Sequence, residues 1–291
     1  MSAELGILFA FFSLVCWGLG DFLIQKTTRK IGDWEALFII TAIGAVILLP
    51  FVTNEIRALF SFQDETFIIL LGMSSVLLMA SMLDFEALKK GKIAIVEPVL
   101  ALEVPITAFI AFAVVNEGLQ ALEIFLIVLL MIGLALISLK SHHFKRRIWL
   151  ERGVLLTAVA AILMGIANFL VGFSSRLTTP LFANWFINVF VSVICLFYII
   201  ANKRTTKMVH DFGKNKELVL GMSLFDNFAW IAFAIATTYI PIAIAIALSE
   251  SYIALAALLG LLINREILMR HQKIGLITAI GSAIVLSLVV I

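Results

Sequence analysis

Several carboxylates stand inside long apolar runs, where an ionisable side chain costs a few kcal/mol or more and usually faces a cavity or a partner. Glu103, Asp226 and Glu250 fall close to the middle of such runs. Asp21, Asp84 and Glu86 lie nearer to an end, within reach of an interface, and Glu97 shares the run of Glu103. No Lys or Arg accompanies them there. An acid-lined, cation-free site repels an anion such as a sugar phosphate. It suits a cation, a zwitterion, a neutral solute or a proton. Glu103 and Glu250 are the candidates for carrying a proton, the physical requirement for proton-coupled exchange.

The neighbours of these acids strengthen the pattern. Glu97-Pro98 and Glu103-Val104-Pro105 place two prolines in one apolar segment. Each removes a backbone donor and clashes with the preceding turn, which is expected to free the carbonyls of Ala94 and Ala101. At about 100° per residue, Glu97 and Glu103 point about 120° apart, so both line one cavity only if the helix kinks or the cavity is wide. Ser249-Glu250-Ser251-Tyr252 forms a polar island in an Ala/Ile/Leu segment. Asp226 and Trp230 share a helical face at i, i+4, beside Asn227. A tryptophan away from the interfacial belt is placed to stack on an organic cation. Asn168 occupies the position in the second half that Asp21 occupies in the first. The substrate-binding set is therefore Glu103, Glu250, Asp226, Trp230, Tyr252, Asn227, Glu97, Asn168, Asp84 and Asp21.

Other chemistries lack their parts. Cys16 and Cys195 are far apart and set in apolar runs, so neither a disulfide framework nor a thiolate metal site is expected. No histidine falls in an apolar run. An intramembrane enzyme would need a nucleophile-base pair or a metal cluster, and no cofactor is implied. No basic array suggests nucleic acid.

The elements that must hold these residues follow from composition. The 291 residues are 63% hydrophobic and 14% charged, where a soluble domain carries roughly a quarter charged residues. A helix needs about 20 apolar residues to cross the hydrocarbon core. Ten runs qualify, at roughly 4–25, 35–53, 66–87, 93–114, 121–139, 153–173, 181–201, 217–237, 241–263 and 274–291. Lipid admits no open strand edge, so the spans are read as helices. The first run is too long, and lacks the small-residue cleavage site, for a removable signal peptide.

The runs repeat. Gly18-Leu19-Gly20-Asp21-Phe22-Leu23-Ile24 recurs as Gly165-Ile166-Ala167-Asn168-Phe169-Leu170-Val171. Asp33-Trp34 answers to Asn184-Trp185, Gly72-Met73-Ser74 to Gly221-Met222-Ser223, Glu117 to Glu266, and Ser138-Leu139 to Ser287-Leu288. Residues 1–140 and 153–291 are thus two copies of a five-helix unit, joined by a charged loop at 141–152. Lys and Arg number 19 in the odd loops against 2 in the even loops. The positive-inside rule then puts the odd loops in the cytoplasm and both termini outside. Equivalent loops of the two copies carry opposite charge, and five spans is an odd number. The fold expected is an all-α membrane protein of ten transmembrane helices in two inverted repeats, with a site near the midplane between them.

Trp17-Gly18 with Phe22 and Lys26 resembles the opening pattern of the EamA-domain family of the drug/metabolite transporter superfamily. Ala87-Leu88-Lys89 followed by Pro105 is similar to its third-to-fourth-span signature, and Glu117 with Gly133 and Glu266 with Gly275 to the end of each unit. The second half has Ala254 where the first has Pro105. The resemblance implies a secondary transporter, often an exporter of amino acids or other metabolites. It also implies a cavity lined mainly by spans one, three, four, six, eight and nine. Members are usually drawn with both termini in the cytoplasm, against the charge count above. Glu117 and Glu266 lie at loop ends and read as structural.

Together these readings point to a multi-pass protein of the cell membrane that moves a small-molecule substrate (an amino acid, an amine or a similar solute). Its partners would be that substrate and the lipid bilayer, as a monomer or a homodimer. A multidrug/cation-proton antiporter and a non-transporting scaffold are the competing expectations.

Overall fold

A computed structural model of the chain describes residues 2–58, 64–90, 99–138, 152–255, 258 and 269–291. It is helical throughout, with no strand among the described residues. The helices are α1 (Ser2–Ile31), α2 (Asp33–Leu48), α3 (Thr53–Ala58), α4 (Asp64–Lys90), α5 (Glu103–Val115), α6 (Ala121–Ser138), α7 (Arg152–Leu177), α8 (Pro180–Ala201), α9 (Thr205–Lys214), α10 (Lys216–Tyr239), α11 (Ile242–Ser249) and α12 (Arg270–Val290). Eight are long and apolar enough to cross a membrane: α1, α2 with the turn after it, α4, α6, α7, α8, α10 and α12.

The exterior is apolar and the interior carries the polar residues, the reverse of a soluble protein. Leu8, Phe12, Phe109, Phe112, Phe125, Phe197, Ile277 and Leu288 all face outward. Asp84, Glu103, Asn168, Asn188, Asn227 and Glu250 are buried.

The spans begin and end on local signals. The turn from α1 to α2 is made at Gly32, whose φ of 106° suits glycine alone. Thr179 caps α8 by accepting the Phe182 N–H at 3.2 Å, with Pro180 at the first helical position. Helix α5 stops at Asn116, which takes the left-handed conformation. In α9, Met208 and Phe212 share a face at i, i+4 and pack against the core.

The apolar run 93–114, expected to be interrupted at its prolines, does break, and so does the run 241–263, which has no proline at the break. Among the described residues they give two short apolar helices, Glu103–Val115 and Ile242–Leu255. The chain turns at Ala101–Leu102 and again at Glu250–Ser251. The Ala101 carbonyl is not left free by Pro105, because it accepts the Val104 N–H at 3.2 Å. The second break needs no proline: Ser251 N–H closes on Leu248 at 3.2 Å, and the helix resumes at 252. Ala94, Glu97 and Pro98 lie outside the described residues, as does Glu266.

Helix pairing is unchanged when the halves are exchanged. α1 packs chiefly on α10, and its counterpart α7 on α4. α11 lies on α1 as α5 lies on α7, while α2 meets α8 and α6 meets α12. Glycines allow the close approaches. A Cβ on Gly133 would stand 2.7 Å from the Ala279 nitrogen, and one on Gly275 2.6 Å from the Gly133 carbonyl. These two glycines, one in the last helix of each half, therefore set the α6–α12 crossing. Likewise a Cβ on Gly165 would meet Ile106 at 2.7 Å, and one on Gly18 would meet Tyr252 at 3.3 Å.

Candidate functional site

A cavity lies between the two halves, with about 850 Å³ of atom-free space including solvent at its mouth. Nine of the ten residues expected from sequence line it: Asp21, Asp84, Glu103, Asn168, Asp226, Asn227, Trp230, Glu250 and Tyr252. The tenth, Glu97, lies outside the described residues. Asp21 and Asp84 both line the cavity, Asp84 with 7% exposure. Glu86 is not in the lining; it pairs with Lys89 at 3.7 Å on the next turn of α4.

The acids form one connected group. Tyr252 donates its hydroxyl to Asp21. Glu250 hydrogen-bonds with Glu103 and lies in the field of Asp21 and Asp84, while Asp21 in turn acts on Asp226. No Lys, Arg or His lines the cavity among the described residues. A hydrogen bond between two carboxyl groups requires a proton on one of them, because an ionised carboxylate only accepts.

The broken helices place Glu103 and Glu250. Each stands at the turn where its short helix begins or ends, so both carboxyls meet between the halves. Thr107 fixes the Glu103 turn by donating to the Glu103 carbonyl at 2.9 Å and to Gly165 at 3.0 Å. Ser249 reaches the Ala10 carbonyl at 3.3 Å, tying the Glu250 turn to α1.

One wall is aromatic. Trp17 and Trp230 meet edge to face at 5.3 Å, and Phe233 backs both at 5.6 and 6.1 Å. The opposite floor is built of amides. Asn188 donates to Asn227 at 2.9 Å, and Asn227 donates to Ile40 at 3.0 Å and to Ser223 at 2.8 Å. Asn184 donates to the Pro180 carbonyl at 2.8 Å.

Trp17, Thr41, Ser81, Asn184 and Asn188 line the cavity although they were not among the expected site residues. The signal for the last two was legible: Asn184 and Asn188 share a helical face in an apolar span. Spans two and seven also line the cavity through Leu37, Ile40, Thr41, Ile187 and Val191. The lining thus comes mainly from the six expected elements and extends to these two.

Outside the cavity, ion pairs gather at helix ends. Lys89 meets Asp33 at 3.0 Å, and Arg204 meets Glu35 at 3.2 Å. Trp34 stacks on Tyr198 at 3.9 Å beside them. At the end of α7, Arg176 donates to Thr237 at 2.6 Å, to Ile240 at 3.0 Å and to Glu117 at 2.8 Å. Glu117 also accepts the Ile242 N–H at 2.8 Å. Its structural role is thus to join the loop after α5 to the start of α11. No cluster of three metal-ligating side chains occurs among the described residues.

A bundle of membrane-length helices around a polar, buried cavity defines a multi-pass membrane protein of the transporter type. The EamA-like transporter family matches residues 4–139 and again 151–288, and the chain belongs to that family. Its members are transporters, not enzymes. The fold also recurs in solved structures, with 28 matching chains. One crystal structure of a protein aligns over 98% of this chain and 97% of the other, at a TM-score of 0.75 and 14% identity. At that identity the likeness speaks for the fold alone. A search of curated proteins gives no match.

Proposed function

We propose that the protein is a secondary active transporter of ten crossings, built as two inverted five-helix repeats. It moves a small cationic, zwitterionic or neutral metabolite across the cell membrane by alternating access, with protons as the coupling ion. The observation that carries the reading is the cavity between the halves, which gathers five carboxylates and no cation among the described residues. The two short apolar helices supply the fourth and ninth crossings, and interrupted helices at a repeat interface suit a transport site. The exchange symmetry of the packing and the inverted charge of equivalent loops support the opposed orientation of the halves.

The Glu103–Glu250 contact supplies the proton site. One carboxyl comes from each half, so a motion of one half against the other changes their separation and with it their hold on the proton. A cation entering beside Asp21 also acts on Glu250 through charge. Loading and proton release are thereby linked. The Trp17–Trp230 wall favours an aromatic cation among candidate substrates, which keeps a cation-proton antiporter as the second reading.

Uptake into proteoliposomes with and without an imposed pH gradient tests this. Solute movement that responds to the gradient and fails in Glu103→Gln and Glu250→Gln is expected. Full, gradient-dependent activity in both variants would remove the proton site from this position.

A further inference from the structure

We propose that the cavity selects an organic amine that carries no carboxylate and ends in a neutral hydrogen-bonding group. The inference rests on the transporter reading for its purpose and on the lining residues for its content. Aligning the two halves by their repeat offset pairs Trp17 with Met164, Asp21 with Asn168, Leu77 with Asp226 and Ser81 with Trp230. All eight line the same cavity. Within each pair, one member has become acidic or aromatic and the other apolar, small or amide.

The substitutions segregate. The acid and aromatic members, Trp17, Asp21, Asp226 and Trp230, all belong to the packed pair α1 and α10. Leu77, Ser81, Met164 and Asn168 all belong to α4 and α7. A symmetric scaffold thus carries an asymmetric site. The α1–α10 wall offers two carboxylates beside two indole rings, the chemistry that holds an ammonium group. The α4–α7 wall offers Asn168 and Ser81 for a neutral group, with a single carboxylate, Asp84, beyond them on α4.

Asn168 points independently to a ligand. It is 1% exposed, and neither its amide nitrogen nor its oxygen has a hydrogen-bond partner among the described residues. The other three lining amides, Asn184, Asn188 and Asn227, each donate within the protein. A buried amide with both functions unused costs about 1–3 kcal/mol, which a bound hydroxyl, amide or carbonyl relieves.

A substrate carboxylate is disfavoured from every side. The ionisable groups facing the cavity are Asp21 on α1, Asp84 on α4, Glu103 on α5, Asp226 on α10, and Glu250 with Tyr252 after α11. Helices α2, α7 and α8 contribute only apolar, hydroxyl and amide side chains. Lys89 and Arg204 are engaged by Asp33 and Glu35 outside the cavity. Nothing in the lining balances a second negative charge.

Equilibrium binding to the full chain in nanodiscs tests the selection, with tyramine, phenethylamine and tyrosine as probes. Tyramine is expected to bind most tightly and phenethylamine about 5- to 10-fold more weakly for want of a hydroxyl. Tyrosine is expected to bind about 100-fold more weakly, because its carboxylate enters an acidic, low-dielectric site. Asn168→Leu should bring tyramine down to the phenethylamine value, closing the gap between the two amines. Asp226→Asn should weaken both amines about 10-fold or more, with an unchanged melting temperature as the folding control. The wild-type ranking needs no variant, so a misfolded mutant leaves the test intact. Tyrosine bound as tightly as tyramine, or no amine bound at about 10 mM, overturns the proposal. Tyramine binding without movement across a membrane would sink the transporter reading and keep this selection rule. Preferential movement of tyrosine would do the reverse.

Discussion

Gly44 offers a sharp test of how the amide floor of the cavity is held. It lies one turn beyond Ile40 on α2, directly beneath the Asn188–Asn227 hydrogen bond. A Cβ built there would overlap Asn227 Oδ1 and Asn188 Nδ2, so Gly44→Ala must push the amides apart. The lost bond between two side chains is worth about 0.6–1 kcal/mol in a membrane interior. Leaving a buried donor and acceptor unpaired adds about 1–3 kcal/mol for each group that finds no substitute. With one of the two re-pairing into the cavity, the expected destabilisation is about 3 kcal/mol. Gly72→Ala is the matched control, since a Cβ there meets nothing within 4 Å. It should be neutral or stabilise α4 by up to about 1 kcal/mol. Reversible unfolding in mixed micelles reads both. On an Asn227→Ala background the cost of Gly44→Ala should fall below about 1 kcal/mol, because the main obstacle has gone. Equal stability of Gly44→Ala and Gly72→Ala would refute the argument.

Further outcomes follow from the packing and the charge pattern. Gly275→Leu should prevent close α6–α12 contact and lower the melting temperature in detergent more than Gly281→Leu, whose site is open. Arg176→Lys should destabilise nearly as much as Arg176→Ala, by about 2 kcal/mol in the same unfolding assay. A single ammonium cannot reach Thr237, Ile240 and Glu117 together. Single cysteines at Gly118 and Lys214 should label from opposite sides of the membrane, with Lys214→Cys reached from the cytoplasm. Native Cys16 and Cys195 are buried and should stay silent. Labelling of both introduced cysteines from one side would contradict the inverted arrangement.

Much of this site could be read before any coordinates, because lipid makes polar residues conspicuous. Glu103, Asp226 and Glu250 stood out in apolar runs, and a bilayer leaves such groups few places to go. The repeat offset carried Asp21 onto Asn168, and both line the cavity. What stayed hidden were features that hydropathy does not encode. The apolar run 241–263 reads as one helix, yet the chain turns at Glu250–Ser251. The polar island there lets backbone and side chains trade hydrogen bonds without a proline. Asp84 sat near a span end by counting, but α4 continues to Lys90 and carries it inward. Asn188 was overlooked because a neutral amide barely alters hydropathy, although its bond to Asn227 ties α8 to α10. Trp17 entered only as part of a family-like opening, and its role as the partner of Trp230 depends on α1 meeting α10.

Alternating access requires the cavity between the halves to open to each side of the membrane in turn. Ser81 lines it on α4, so a Ser81→Cys variant can report its exposure to a membrane-impermeant thiol reagent in oriented vesicles. Alternating access predicts modification from the cytoplasmic face and, in separate preparations, from the outer face, both slowed by a saturating substrate. Reaction from one face alone under every pH gradient and solute tried would contradict it.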